Sequence, residues 1–455
     1  MIIQPGNIYF LGIGGIGMSA LARYYHSKGY RVMGYDLTET PLTKKMEASG
    51  IEVNYTDTVN FIPDSVKSDP KVPVIFTPAI PDSNKQLIFF ISKGYTLKKR
   101  AEILGEISID YRTIAIAGTH GKTTTSAMVA HIMNNSALGC MAFVGGIMTA
   151  YESNVILNPD AEWVVIEADE FDRSFLKLMP DLLGITSIDP DHFDIYTDAA
   201  DLEKAFEQLI ENSNPSNQVI VNDAVSSVIT SGCITYGIKP GSDIVLSNQG
   251  YINGYHRISV SGLTDKTEIF DLAMPGLHNA QNAVLAAGLC KNAGCTMVEI
   301  KQGLHSFKGV KRRFEYIIKS PETIFIDDYA HHPREIDALI SSVRNLYPEK
   351  KITGIFQPHL YSRTRDFADE FAESLSKLDQ LYLLEIYPAR EQPLPGIDAD
   401  YLFQKVQLNQ KSIVDKLNVL VLITENKPEI LLTIGAGDIG QLVPAVKQAL
   451  TNNNG

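Results

Sequence analysis

Three stretches of this sequence carry residue types whose spacing can do chemistry on phosphate. The first is Gly118-Thr119-His120-Gly121-Lys122-Thr123, followed by Thr124. After an apolar strand, such a turn offers backbone N–H groups to a phosphate. Lys122 can then reach terminal phosphates, and the Thr123 hydroxyl can bind magnesium. A full P-loop would have glycine at position 116, where this chain has Ile116, so the loop is a shortened variant. The second stretch is Glu167-Ala-Asp169-Glu170, at the end of the apolar run 163–166. Carboxylates at that edge, downstream of a phosphate loop, are natural magnesium holders. The third, Asp189-Pro-Asp191-His192, closes another apolar run and adds a second metal or phosphate contact.

Two further sets lie outside this central region. Near the start, Gly12-x-Gly14-Gly15-Ile16-Gly17 follows a short apolar strand, and Asp36 closes the next one. Glycines in that pattern let a diphosphate approach a helix N-terminus, and the acid can accept a ribose hydroxyl. A tight packing turn would look similar, and NAD and a UDP-linked compound fit it equally. Toward the C-terminus, Asp327-Asp328-Tyr329-Ala-His331-His332-Pro333 and Gln357-Pro-His359 each end an apolar run, with Arg363 and Arg365 close behind. Polar groups at two such ends converge as a pocket requires. The basic run Lys308-Gly-Val-Lys-Arg312-Arg313 reads as a solvated linker on composition alone. At a predicted domain junction it can instead touch ATP phosphates when domains close.

These residues need elements to hold them. Strands are expected at 7–12, 31–36, 113–117, 163–166, 182–187, 323–328, 351–356, 380–386 and 430–434. Helices are expected at 18–28, 101–107, 124–134, 202–211 and 280–290, and one begins near Pro333, whose missing N–H costs little there. The result is an α/β chain of three successive domains: a Rossmann-like domain over 1–109, a P-loop-type ATPase domain over 110–316, and a Rossmann-like α/β domain over 317–455. In such sheets ligands sit at the C-terminal ends of strands, where the polar clusters fall.

Composition narrows the function classes. The chain has 455 residues, 44% of them hydrophobic and 20% charged, which excludes a wholly disordered or fibrous protein. A net charge of −13 argues against a nucleic-acid coat. Any bound phosphate must therefore be held by local devices. The four cysteines form no C-x-x-C pair and read as reduced thiols. No signal peptide and no membrane span is visible, so a cytoplasmic protein, monomer or homodimer, is expected.

Taken together, these motifs resemble the Mur ligase family, the amide-forming enzymes of bacterial cell-wall precursor synthesis, over essentially the whole chain. The Gly118–Thr123 loop is similar to the family's ATP loop, and His278-Asn279-Ala-Gln-Asn282-Ala to its adenine-side motif. Within the family, the branch that adds L-alanine to UDP-N-acetylmuramate is similar at the opening glycine run, at Glu167 to Leu176, at Gly309 to Phe314 and at Asp327 to Pro333. The resemblance implies ATP and Mg2+ as cofactors. It places UDP-N-acetylmuramate on the first domain, at Gly14, Gly15, Ile16, Gly17 and Asp36. Lys122 is implied at the transferred phosphoryl group, and Thr123, Glu167 and His192 at metal ions. Asn279 and Asn282 are implied near adenine, and Arg312 and Asp328 near ATP. Tyr329, His331, His359 and Arg363 would line the junction with the amino-acid pocket. The sequence does not identify the base that takes the amine proton; His331 and His359 are its candidates.

Two departures bear on this. Sister branches carry a modified lysine beyond the metal histidine; position 207 here is Glu207, as the alanine-adding branch leads one to expect. Leu360 follows His359 where that branch often has arginine. The rival readings are a recycling ligase that adds a preformed peptide to the same UDP-sugar, a nicotinamide-dependent oxidoreductase, and a P-loop switch without synthesis.

Overall fold

The structure is a computed structural model and describes residues 6–189, 196–213, 219–225, 232–389 and 391–451. The first sheet has five parallel strands: β1 (Asn7–Leu11), β2 (Arg31–Tyr35), β3 (Glu52–Asn54), β4 (Val74–Phe76) and β5 (Leu97–Lys99), in spatial order β3-β2-β1-β4-β5. β1 leads through the glycine turn into the helix Ile16–Ser27, and Gly29, at φ +86°, turns the chain back toward β2. Only glycine takes that conformation at little cost.

The central sheet contains β6 (Arg112–Ala117), β7 (Met141–Met148), β8 (Ser153–Ile156), β9 (Trp163–Glu167), β10 (Leu182–Ile185), β11 (Val219–Asn222), β12 (Ile234–Gly237), β13 (Ile244–Ile252), β14 (Tyr255–Ser261) and β15 (Glu268–Leu272). Their order is β15-β14-β13-β12-β11-β10-β6-β9-β7-β8. β6 lies between β10 and β9, parallel to both. Its residues Ile114 to Ala117 are fully buried, as a strand covered on both faces must be.

The third sheet holds β16 (Glu315–Lys319), β17 (Ile324–Asp328), β18 (Ile352–Phe356), β19 (Gln380–Leu383), β20 (Lys411–Ile413) and β21 (Ile430–Ile434), ordered β16-β17-β21-β18-β19-β20. Only β16 runs antiparallel to its neighbour. Asp328 and Phe356 both pair in register with Ile434, so the polar residues after β17 and β18 emerge at one edge.

The chain forms two compact units. One comprises the first sheet and most of the central region up to Phe307; the other comprises residues 248–257, 272–280 and the chain from Lys308 onward. In the first unit a single apolar cluster joins Phe10 and Leu21 to Val164, Ile166 and Phe206. In the second, Phe325, Ile355, Leu431 and Val446 form a core. Each large apolar side chain so buried contributes about 1.5–3 kcal/mol.

The predicted strands and helices are present, with ends moved by a few residues. The hairpin β7–β8 was not expected, because Gly145 and Gly146 interrupt its apolar alternation. It has a clear task. Asn154 donates to the Ile16 carbonyl and to Ser19 Oγ (3.0 Å), and Arg23 donates to Ser153 Oγ (2.8 Å), fixing the start of the helix that follows the first glycine turn.

Candidate functional site

The central loop turns sharply between β6 and the helix Lys122–Asn134. Gly118 (φ +131°) and Gly121 (φ +82°) make that turn possible. A Cβ on Gly118 would lie 2.0 Å from Thr186 Oγ1, and one on Gly121 would lie 2.6 Å from Asn282 Oδ1. No side chain fits at either position. The strand end after β10 braces the loop from the side: Thr119 N donates to the Ser187 carbonyl (3.0 Å) and His120 N to Ser187 Oγ (3.0 Å). Asp189 N donates back to Thr119 Oγ1 (3.0 Å).

Each functional side chain of the loop meets a carboxylate. Thr123 Oγ1 donates to Glu167 Oε1 (2.8 Å), and Gly145 N donates to Glu167 Oε2 (2.6 Å). Lys122 Nζ donates to both oxygens of Glu170 (2.8 and 2.7 Å) and to the Gly118 carbonyl (2.6 Å). Burial pushes the Lys122 ammonium down, but the carboxylates of Glu170, Asp169 and Glu167 outweigh it and leave its pKa above that of an ordinary lysine. Burial raises the Glu167 carboxyl above the usual range, against the pull of Lys122 and Thr123. Thr123 and Glu167 thus set two hard oxygen donors side by side, the donor type magnesium prefers. Thr124 lies buried on the same helix. Among the described residues no group of three His, Cys, Asp or Glu side chains gathers around a metal position. Asp191 and His192 lie outside the described residues.

Asn279 and Asn282 occupy the helix Leu277–Ala293 and are both buried. Asn282 packs on Gly121, whereas Asn279 Nδ2 donates to the Pro275 carbonyl (2.7 Å).

At the first glycine turn, Gly15 and Ile16 are exposed, and the helix begins at Ile16 with its leading N–H groups unused by helical bonds. Asp36 is engaged within the turn. Its Oδ2 accepts from Gly14 N (2.7 Å) and its Oδ1 from Thr38 N (3.2 Å). It therefore shapes the turn as well as standing at the end of β2.

The third sheet edge brings together the remaining residues. Asp328 accepts from Phe314 N (2.6 Å) and Ala330 N (2.7 Å), and burial raises its pKa to about 6. Arg312 takes a left-handed conformation (φ +60°). From there its guanidinium reaches the Gly435 carbonyl (2.5 Å), Asp327 (3.4 Å) and the Tyr329 ring (5.0 Å). Tyr329, His331, His359 and Tyr387 follow as a chain of ring contacts with centroids 5.3, 6.0 and 5.8 Å apart. Arg363, on the short helix Tyr361–Asp366, acts electrostatically on His331. Burial pushes His331 down to about 4, against the nearby Glu335, so the ring is neutral at pH 7.

Sequence comparison gives this arrangement a family. The profile described as the Mur ligase family catalytic domain matches residues 7–112, the Mur ligase middle domain matches 116–290, and the Mur ligase glutamate ligase domain matches 312–438. A UDP-N-acetylmuramate–L-alanine ligase of Cytophaga hutchinsonii is 44% identical over 447 residues, covering 97% of this chain and 96% of that one. The enzyme of the same name from Flavobacterium psychrophilum is 44% identical over 447 residues, covering 98% of both chains. The chain belongs to the Mur ligase family.

Its fold is that of solved Mur ligases. The UDP-N-acetylmuramate-alanine ligase MurC of Thermotoga maritima superposes with a TM-score of 0.84 at 27% identity, over 98% of this chain and all of that one. A murein peptide ligase of Psychrobacter arcticus shares the fold at TM-score 0.70 and 20% identity, over 98% and 99% of the two chains. The three-domain α/β architecture of mostly parallel sheets is thus the family's.

Two residues of this Mur ligase were not singled out by their sequence context as individual contacts. Glu170 was one member of an acidic cluster, yet it is the acid that grips Lys122. Arg100 lies just before the helix expected at 101–107. It follows β5 directly, and a Cβ on Gly17 would fall 2.8 Å from its Nη1. Its Nη2 also donates to Asp169 Oδ2 (3.2 Å), linking the first glycine turn to the acidic loop. Its place at the C-terminal end of a parallel strand was the available signal.

Proposed function

We propose that this Mur ligase joins L-alanine to the carboxylate of UDP-N-acetylmuramate with ATP, through an acyl phosphate, in peptidoglycan precursor synthesis. The observation that carries the reading is full-length likeness at 44% identity to enzymes named for that reaction, in a chain whose loop sets Lys122 and Thr123 against buried carboxylates. ATP and the nucleotide-linked sugar are cytoplasmic metabolites, so the reaction belongs there.

A carboxylate and an amine do not condense unaided at neutral pH. The sugar carboxylate attacks the γ-phosphorus of ATP, and ADP leaves. The L-alanine amine then attacks the acyl carbon, inorganic phosphate leaves, and the amine gives up its proton. The first step brings two anions together. Lys122 offsets that repulsion at the γ-phosphoryl group. Magnesium, held by Thr123, Glu167 and His192, would supply further charge neutralisation. We assign 1–109 to the UDP-sugar, 110–316 to ATP and 317–455 to ATP and the amino acid. Gly14, Gly15, Ile16 and Gly17 take the diphosphate, with Asp36 shaping their turn and Arg100 adding a cation beside them. Gly118 to Thr124, Asn279 and Asn282 hold ATP, and Arg312 and Asp328 meet it from the third domain. Tyr329, His331, His359 and Arg363 line the amine pocket, His331 as an uncharged hydrogen-bond acceptor. A group held near 4 is too weak a base to keep a proton at pH 7.

The test is product formation with ATP, magnesium and UDP-N-acetylmuramate, offering L-alanine, L-serine, glycine or the recycled tripeptide in turn. The expected product is the L-alanyl conjugate, identified by mass. Preference for the tripeptide assigns the recycling reaction instead. Tight NAD binding without UDP-sugar binding returns the first domain to an oxidoreductase.

A further inference from the structure

We propose that Glu170 is the positioning residue of the phosphate-binding lysine, holding Lys122 between turnovers and releasing it to incoming nucleotide phosphate. The inference rests on reading Gly118–Thr123 as the ATP loop. Its basis is the division of labour between two acids three residues apart. Glu167 takes the Thr123 hydroxyl and the Gly145 N–H. Glu170 takes Lys122 with both oxygens, and its side chain is completely buried while Lys122 keeps 14% exposure. Of the two side chains, only the lysine has access to solvent and so to an incoming ligand.

Glu170 itself is fixed from behind. Its carbonyl accepts from Tyr196 Oη (2.6 Å) and from Arg173 N (3.0 Å). Asp172 and Arg173, at φ +54° and +53°, form a left-handed corner directly after it. Residues other than glycine hold such angles only where their surroundings enforce them. The Glu170 backbone is thus held in place with its carboxylate buried, and Lys122 is the longer arm, whose Nζ also lies on the Gly118 carbonyl.

The charge balance gives the pair its consequence. Within the loop one ammonium faces Glu170, Asp169 and Glu167. A polyphosphate entering there competes with a carboxylate already 2.7 Å from the lysine. Binding without a divalent cation must be weak, and Glu170 sets how weak. Once phosphate leaves with the products, Glu170 recaptures the lysine and helps release ADP. Removing the carboxylate charge should tighten the nucleotide and slow its departure.

The experiment titrates ADP, with and without magnesium, into the full chain and into Glu170→Gln, and measures KM for ATP and kcat for the ligation. The expected result is ADP binding to E170Q at least about tenfold tighter without magnesium, a lower KM, and a lower kcat limited by ADP release. A purely structural role would not move KM and kcat down together. E170Q that binds UDP-N-acetylmuramate normally but ADP no tighter than the parent overturns the proposal. Should E170Q not fold, Glu170→Asp withdraws the carboxylate by one methylene and must shift ADP binding in the same direction; no tightening there overturns it equally. If the parent chain binds no ADP at all, the ATP-loop reading falls together with this inference.

Discussion

The strand ends of the central sheet and of the third sheet both gather ionisable groups, but they surround them differently. Around the central loop a cation is set among acids: Lys122 lies against Glu170, with Asp169 and Glu167 close by. At the third edge burial works against the charged forms. It pushes His331 down to about 4, leaving a neutral ring, and raises Asp328 to about 6, still ionised at pH 7; Arg312 keeps Asp327 as an ion-pair partner (3.4 Å), and ring contacts link Tyr329, His331, His359 and Tyr387. The first arrangement suits a site that must receive a polyphosphate and exchange ion-pair partners. The second suits a site that accepts a small amine whose nucleophilic form is itself uncharged.

The largest expected effect breaks the charged half. Lys122→Ala should lower kcat by about a thousandfold, the scale of losing a donor to developing transition-state charge, with UDP-N-acetylmuramate affinity preserved in direct titration. Glu167→Gln should cost about a hundredfold and raise the magnesium concentration needed for half-maximal rate, because Thr123 then lacks its charged neighbour. Gly121→Ala tests the loop's shape alone. Its left-handed backbone and the overlap with Asn282 should cost about 1–3 kcal/mol, read as a lowered Tm. Adding Asn282→Ala should recover the overlap part while nucleotide affinity stays low.

The smallest effects are at the third sheet edge and appear as pH dependence. Asp328 holds its proton more tightly folded (about 6) than its ordinary value of 3.8, so it lowers stability as pH rises between those values. His331 and His278, both held near 4 against 6.5, bind protons less tightly when folded and so raise stability as pH rises from about 4 to 6.5. The two trends oppose. Asp328→Asn should steepen the gain in stability between pH 4.5 and 6.5 in urea unfolding, and His331→Gln should flatten it. Equal slopes in both variants would contradict the contrast drawn between the two regions.

Much of this was legible from residue type and order. Gly118, Gly121 and Lys122 announced the loop because few residues tolerate that turn or serve that charge. The strand Trp163–Glu167 was readable because an apolar run ended abruptly in acids. Which acid meets which partner was not readable. Glu167, Asp169 and Glu170 are equivalent as a string, and only the folded backbone pairs Glu170 with Lys122 and Glu167 with Thr123. Asp36 looked like a ribose acceptor, and its bond to Gly14 N depends on how closely β2 returns beside β1. Arg100 was hidden because a strand of three residues carries too little alternation to be read, so its place at a strand end went unnoticed.

The central claim, that these strand ends run an acyl-phosphate ligation, is tested most directly by oxygen transfer. UDP-N-acetylmuramate labelled with 18O in its carboxylate should yield one 18O per inorganic phosphate released, in amounts equal to the L-alanyl product. Unlabelled phosphate, or phosphate released in the presence of L-alanine with no L-alanyl product beside it, would contradict it.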